Sequence, residues 1–135
     1  MLDLFAGSGA LAIEALSRGA ASATLVDSSP AAAAAIRRNL AALGLDAEVR
    51  RQDVRRYLRA ARIDAPQYDL VLLDPPYRHA SVLGREISPA LAPVLAPGAR
   101  VVAESDRRSV LELELPLVDE RRYGDTLIRI HHVPS

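Results

Sequence analysis

Hydrophobic and polar positions along this chain of 135 residues fall into short blocks, and the blocks switch period in a regular order. Residues 1–6, MLDLFA, are an apolar run that gives way to two glycines, and the following ALAIEALSR carries its apolar positions at helical spacing until Gly19. A second apolar run at 22–27 precedes SSPAAAAAIRRNLAALG, whose punctuation predicts a helix with Ser29 as N-cap, Pro30 at the first helical position and Gly44 past the end. Residues 47–53 predict a third strand, VRRYLRAAR a basic helix, and 68–74 a fourth strand apolar enough to be buried on both faces. A helix interrupted or bounded by Pro89 and Pro93 is expected over 82–95, and a fifth strand over 99–105. The tail predicts two strands about a turn at 123–125, where Gly124 supplies positive φ. Strand and helix in this alternation predict a mostly parallel seven-stranded α/β sheet with helices on both faces and an antiparallel C-terminal hairpin. Apart from the alanines at 31–35 no low-complexity stretch, repeat or linker breaks the pattern, so one domain over 1–135 is expected.

Composition narrows the classes further. The chain is half hydrophobic and a quarter charged, ordinary for a globular domain with a real core. Its 17 cations balance its 17 anions and are all arginine, so any phosphate contact would be a forked one. Without cysteine there is neither a disulfide framework nor a thiolate metal site, and a cytoplasmic home is the default expectation. No run of eighteen apolar residues and no basic leader before an apolar stretch are present, so neither a membrane span nor a signal peptide is expected.

Ligands of such sheets sit at the carboxyl ends of the strands. Those ends carry Asp3 with Gly7 and Gly9, then Asp27, Asp53 and Asp74. Any one acid has a bland explanation, since Asp27 and Asp53 could cap helices and Asp3 could brace a turn. Four at four consecutive strand ends exceed what packing would choose, because an unpaired carboxylate beside a core is costly. The glycine loop permits close backbone approach to a ligand at a helix N-terminus. With Ala12 and Asp27, the two glycines nominally meet the dinucleotide fingerprint, which keeps an NAD-dependent oxidoreductase as the alternative from another class.

That alternative leaves Asp74, Pro75, Pro76 and Tyr77 without a purpose. The exocyclic amine of a nucleobase is a poor nucleophile until acceptors draw its hydrogens and allow the nitrogen to become tetrahedral. Asp74 offers one acceptor, and the carbonyl of Pro75 offers a second, held rigid by two consecutive prolines with locked φ and no N–H. Tyr77 offers a stacking face for the flat base.

The segments DLFAGSGALAIEALSRGA, LVD, QD and VLLDPPY, with the later VVAES and RRYGDTLI, together resemble the class I S-adenosylmethionine-dependent methyltransferases with a Rossmann-like fold. More narrowly they are similar to the RsmD-type family, which modifies the N2 amine of a guanine in 16S ribosomal RNA. The resemblance implies that Asp3, Gly7 and Gly9 line the methionine part of the cofactor, that Asp27 accepts from the ribose hydroxyls, and that Asp53 with the backbone of Val54 takes the adenine. It implies that Asp74 to Tyr77 hold the target guanine, that no metal takes part, and that the partner is 16S ribosomal RNA or a small-subunit assembly intermediate bound by a monomer. Members usually have glutamate where this chain has Asp27, and they carry an N-terminal segment that the expected single catalytic domain lacks. Adenine-N6 or cytosine-N4 methylation of DNA or RNA, methylation of a protein glutamine, and a catalytically impaired cofactor-binding domain are the neighbouring readings.

The arginines at 50, 51, 55, 56, 59 and 62 read as a solvated helix face, with a smaller pair at Arg121 and Arg122. Arg78 follows the DPPY run and is the better candidate for a phosphate. His79, His131 and His132 have no metal-ligand spacing and read as surface or edge-strand residues.

Overall fold

The computed structural model describes residues 1–64, 67–75 and 80–134. Seven strands form one sheet in the order β3-β2-β1-β4-β5-β7-β6. They are β1 (Leu2–Asp3), β2 (Thr24–Asp27), β3 (Glu48–Arg51), β4 (Tyr68–Leu73), β5 (Leu95–Asp106), β6 (Leu117–Tyr123) and β7 (Thr126–His132). The first five run parallel and β6–β7 is the antiparallel hairpin, with β7 pairing β5. Strand order reverses between β1 and β4, which sets the crevice for a ligand beside their carboxyl ends.

The helices α1 (Ala10–Ser17), α2 (Pro30–Ala42), α3 (Val54–Asp64) and α4 (Ala80–Leu91) cover the two faces. Ala12, Ile36 and Leu40 from α1 and α2 pack on one face around Leu25. Tyr57, Leu58, Leu83 and Ile87 from α3 and α4 pack on the other around Leu2, Val71 and Val101. Leu2, Leu25, Val71 and Val101 are fully buried, each worth about 1.5–3 kcal/mol by transfer. The expected cap of α2 forms, with Ser29 Oγ accepting from the Ala32 N–H at 3.2 Å.

Three local expectations are corrected. Helix α4 begins at Ala80 rather than 82, passes through Pro89 and stops at Leu91, with a single 3-10 turn over Ala92–Val94. Pro89 lies on the exposed side of the helix, so the carbonyl left without its N–H faces water. Strand β5 starts four residues early because Leu95 pairs with Tyr68 ahead of an irregularity that absorbs Pro97 and Gly98. His131 is no surface or edge residue: β7 lies between β5 and β6, and the ring is 2% exposed, with Nδ1 3.2 Å from the Leu115 carbonyl.

Helix α4 is held against the segment after β5 by an unusually close approach. Ser88 Oγ accepts from the Glu114 N–H at 2.7 Å, and a Cβ added at Gly84 would sit 2.5 Å from the Glu112 carbonyl oxygen. Helix propensity alone favours alanine there by about 1 kcal/mol. The backbone contact reverses the sign: Gly84→Ala is expected to destabilise by roughly 1–3 kcal/mol, read as a lowered denaturation midpoint with unchanged slope.

Candidate active site

The register of the sheet carries an acid on each of three adjacent strand ends to one face. Asp3 lies beside Leu25 of β2 and Leu72 of β4. Asp27 and Asp74 stand two residues beyond those partners, and residues two apart on a strand share a face. Asp3 is 1% exposed. Its Oδ1 accepts from the Phe5 N–H at 3.3 Å, and no cation pairs with it among the described residues. Burial pushes its carboxyl from the ordinary 3.8 up to about 6, with the Asp74 and Asp27 charges adding to the rise and the Phe5 bond opposing it.

The glycine loop between β1 and α1 is tied down by its neighbours. Asp27 Oδ2 accepts from the Gly7 N–H at 2.9 Å, and Asp27 Oδ1 accepts from the Ser29 N–H at 2.9 Å. Asn39 of α2 donates to the Ser8 carbonyl at 3.0 Å. The two glycines differ in surroundings. A Cβ on Gly7 would meet nothing within 4 Å, and its φ of 59° suits glycine. A Cβ on Gly9 would meet Leu25 and Ile36 at 3.2 and 3.3 Å, so Gly9 serves helix–sheet packing at a φ of 82°.

A cavity of about 550 Å³ opens at this end of the sheet, in the usual range for a small-molecule site. Of the residues singled out by sequence, Gly7, Asp27, Asp53, Val54, Asp74 and Pro75 line it. Asp3 lies directly before Leu4 and Phe5, which are on its wall, and Gly9 is absent from the lining. Pro76, Tyr77, Arg78 and His79 lie outside the described residues. Sequence reasoning missed the apolar wall of Leu4, Phe5 and Leu83 and the polar rim of Gln52 and Arg55.

At the β3 end, Asp53 caps α3. Its Oδ1 accepts from the Arg55 N–H at 2.9 Å and its carbonyl from the Tyr57 N–H at 3.0 Å. Arg55 is drawn across to Glu86 of α4, which fixes the rim. Arg121 is ion-paired with Asp119 on the hairpin, and Arg122 donates to the Gly124 carbonyl. At the opposite end, Asp74 is more readily protonated than an ordinary carboxyl, because burial penalises its charge and Glu104 adds repulsion. Among the described residues no group of acids and histidines could hold a metal ion, and no helix is long and apolar enough to cross a membrane.

These features fit a cationic, adenosine-bearing cofactor. Gly7 leaves open space, Asp27 and Asp53 keep acceptor capacity on the lining, and the buried Asp3 carboxylate has no counter-charge among the described residues.

A family described as conserved hypothetical protein 95 matches residues 1–132. The chain is 39% identical over 139 residues to the "Putative rRNA methyltransferase YlbH" of Bacillus subtilis, covering 96% of this chain and 73% of that protein. It is 44% identical over 78 residues to the "Ribosomal RNA small subunit methyltransferase D" of Escherichia coli, covering 57% of this chain and 38% of that one. The solved "Putative methyltransferase yhhF" from Escherichia coli superposes with a TM-score of 0.84 at 31% identity, covering 99% of this chain and 76% of that chain.

The environment of Asp3 has a measurable consequence. A carboxyl raised in the folded state stabilises the fold fully below its ordinary value of 3.8, and that contribution is lost as pH rises through about 6. Asp3→Asn removes the loss. The variant is expected to be more stable than the parent by roughly 3 kcal/mol at pH 8, with the difference closing below about pH 4 in denaturant titrations.

Proposed function

Because the chain belongs to the conserved hypothetical protein 95 family, that of the RsmD-type class I methyltransferases, we propose that it transfers a methyl group from S-adenosylmethionine to the N2 amine of a guanine in 16S ribosomal RNA. The observation that carries this reading is one cavity wall shared by Gly7, Asp27 and Asp53 on one side and Asp74 and Pro75 on the other. The names of the relatives, which speak of ribosomal RNA methyltransferases, support the substrate class.

The cofactor, when bound, supplies a methyl group already activated by positively charged sulfur. The chain's own residues orient and polarise. Asp27 turns its remaining lone pairs to the ribose hydroxyls, Asp53 with the Val54 backbone takes the adenine edge, and Gly7 leaves room for the chain between them. Asp3 provides the negative charge that the methionine ammonium and the sulfonium lack in a dry site. On the substrate side, Asp74 accepts one amine hydrogen and the Pro75 carbonyl the other. The nitrogen lone pair is thereby released from the ring, and Asp74 is placed to receive the proton that the amine sheds. Tyr77 stacks on the base and Pro76 stiffens the loop, roles that rest on the sequence.

The dinucleotide reading gives no role to Asp74 and Pro75, which line the same cavity as the glycine loop.

Mass mapping of base methylation in 16S RNA from cells with and without the gene tests the substrate, with one N2-methylguanine expected to disappear. Calorimetry should find S-adenosylmethionine binding and no NAD binding, and Asp27→Ala should weaken the former by about 1.5–3 kcal/mol. Binding of NAD alone would refute the cofactor assignment. For the chemical step, Asp74→Ala should lower kcat by roughly 100-fold or more with cofactor affinity nearly intact. Tyr77→Ala should be similarly inactive and Tyr77→Phe far milder. An active Asp74→Ala enzyme would contradict the role given to this loop.

A further inference from the structure

With Asp74 and Pro75 holding its amine, one donor of the target guanine is unmatched. The Watson–Crick edge of guanine presents three hydrogens, two on the N2 amine and one on N1. Asp74 and the Pro75 carbonyl take the first two. A buried N1–H without an acceptor would cost a substantial part of what the other contacts gain.

The sheet register supplies a candidate. Leu72 pairs with Val102 and Leu73 with Ala103, while β5 runs on to Asp106. The strand pairing ends at Leu73 and Ala103; continued one residue beyond the end of β4 it sets Asp74 level with Glu104, whose charge acts on it. Glu104 thus continues the row of Asp27, Asp3 and Asp74 onto a fourth neighbouring strand, just outside the cavity lining and next to Asp74, which is on it. It is half-buried, and neither Glu104 nor Asp74 has a hydrogen-bonding or ion-pair partner among the described residues. The two carboxylates feel each other, since Glu104 is the charge that helps push the Asp74 carboxyl up. Like charges in adjacent register repel each other, and a ligand that donates to both would relieve that repulsion.

We propose that Glu104 is the base-selecting residue of this site, accepting the N1–H of the target guanine while Asp74 and Pro75 hold its amine. The inference rests on the guanine reading above and deepens it. A carboxylate presents acceptors only. Guanine offers a donor beside its amine, whereas adenine N1 and cytosine N3 are bare acceptors in the equivalent place. Glu104 therefore attracts guanine and repels the two other amine-bearing bases. The extra methylene of glutamate gives its carboxylate the longer reach that a contact from β5 to the neighbouring donor requires.

The test uses RNA carrying the guanosine located by mass mapping, and the same RNA with 2-aminopurine at that position. 2-Aminopurine keeps the N2 amine and replaces the N1–H by a lone pair. The parent chain should prefer guanosine by about 100-fold or more in kcat/KM, as sites built to bond a substrate N–H reject analogues lacking it. Glu104→Gln can accept from N1–H or donate to a bare N1, so the preference should fall by at least about 10-fold, with cofactor affinity unchanged as the control for folding. An unchanged preference in Glu104→Gln, or no preference in the parent, overturns the role of Glu104 while leaving guanine methylation standing. Should mapping find an adenine or cytosine as the methylated base, the guanine reading fails first and this inference with it.

Discussion

An ionised carboxylate at the edge of a core is costly unless something positive or hydrogen-bonding answers it, and this domain places such groups on neighbouring strands of one sheet face. Asp3 is the extreme case, 1% exposed with a single backbone donor at 3.3 Å. Its partners in register fix where Asp27, Asp74 and Glu104 stand, because each lies two residues beyond a strand position paired in the β2-β1-β4-β5 core. The parallel sheet thus imposes the spacing of the acids. The site is inherited from the register, and the loops only complete it.

Part of that charge is already spent on structure. Asp27 uses an oxygen for the Gly7 N–H and another for Ser29, so the residue that faces the cavity also holds the glycine loop and the start of α2. Asp53 likewise caps α3 from the cavity wall. On this face of the sheet Asp3, Asp74 and Glu104 have no side-chain or ion-pair partner among the described residues, and in the proposed reading they meet the cofactor and the base edge.

Much of this was legible in the residues themselves. Period and punctuation place β2, α2, β4 and the hairpin closely, because Ser29, Pro30, Gly44 and Gly124 act through local backbone geometry. Non-local contacts account for the rest. Nothing near Gly9 in sequence announces that Leu25 and Ile36 pack where a side chain there would lie, and the burial of His131 follows from β7 being interior. Glu104 was hidden for the same reason: within VVAES it is one polar residue near a strand end, and only pairing with β4 brings it beside Asp74. An acid near the carboxyl end of the strand expected to follow β4 in the sheet is a signal that could have found it. The reach of α4 through Pro89 depended on which side of the helix meets water.

If Asp3 answers the positive charge of the cofactor, it should respond when that cofactor arrives. Asp3 is near half-protonation at pH 6 in the free protein, and a cation beside it favours the ionised form. Calorimetric titration of S-adenosylmethionine at pH 6, repeated in two buffers of different ionisation enthalpy, measures the protons exchanged. The account predicts net proton release, abolished in Asp3→Asn. Proton uptake, or the same exchange in the variant as in the parent, would contradict it.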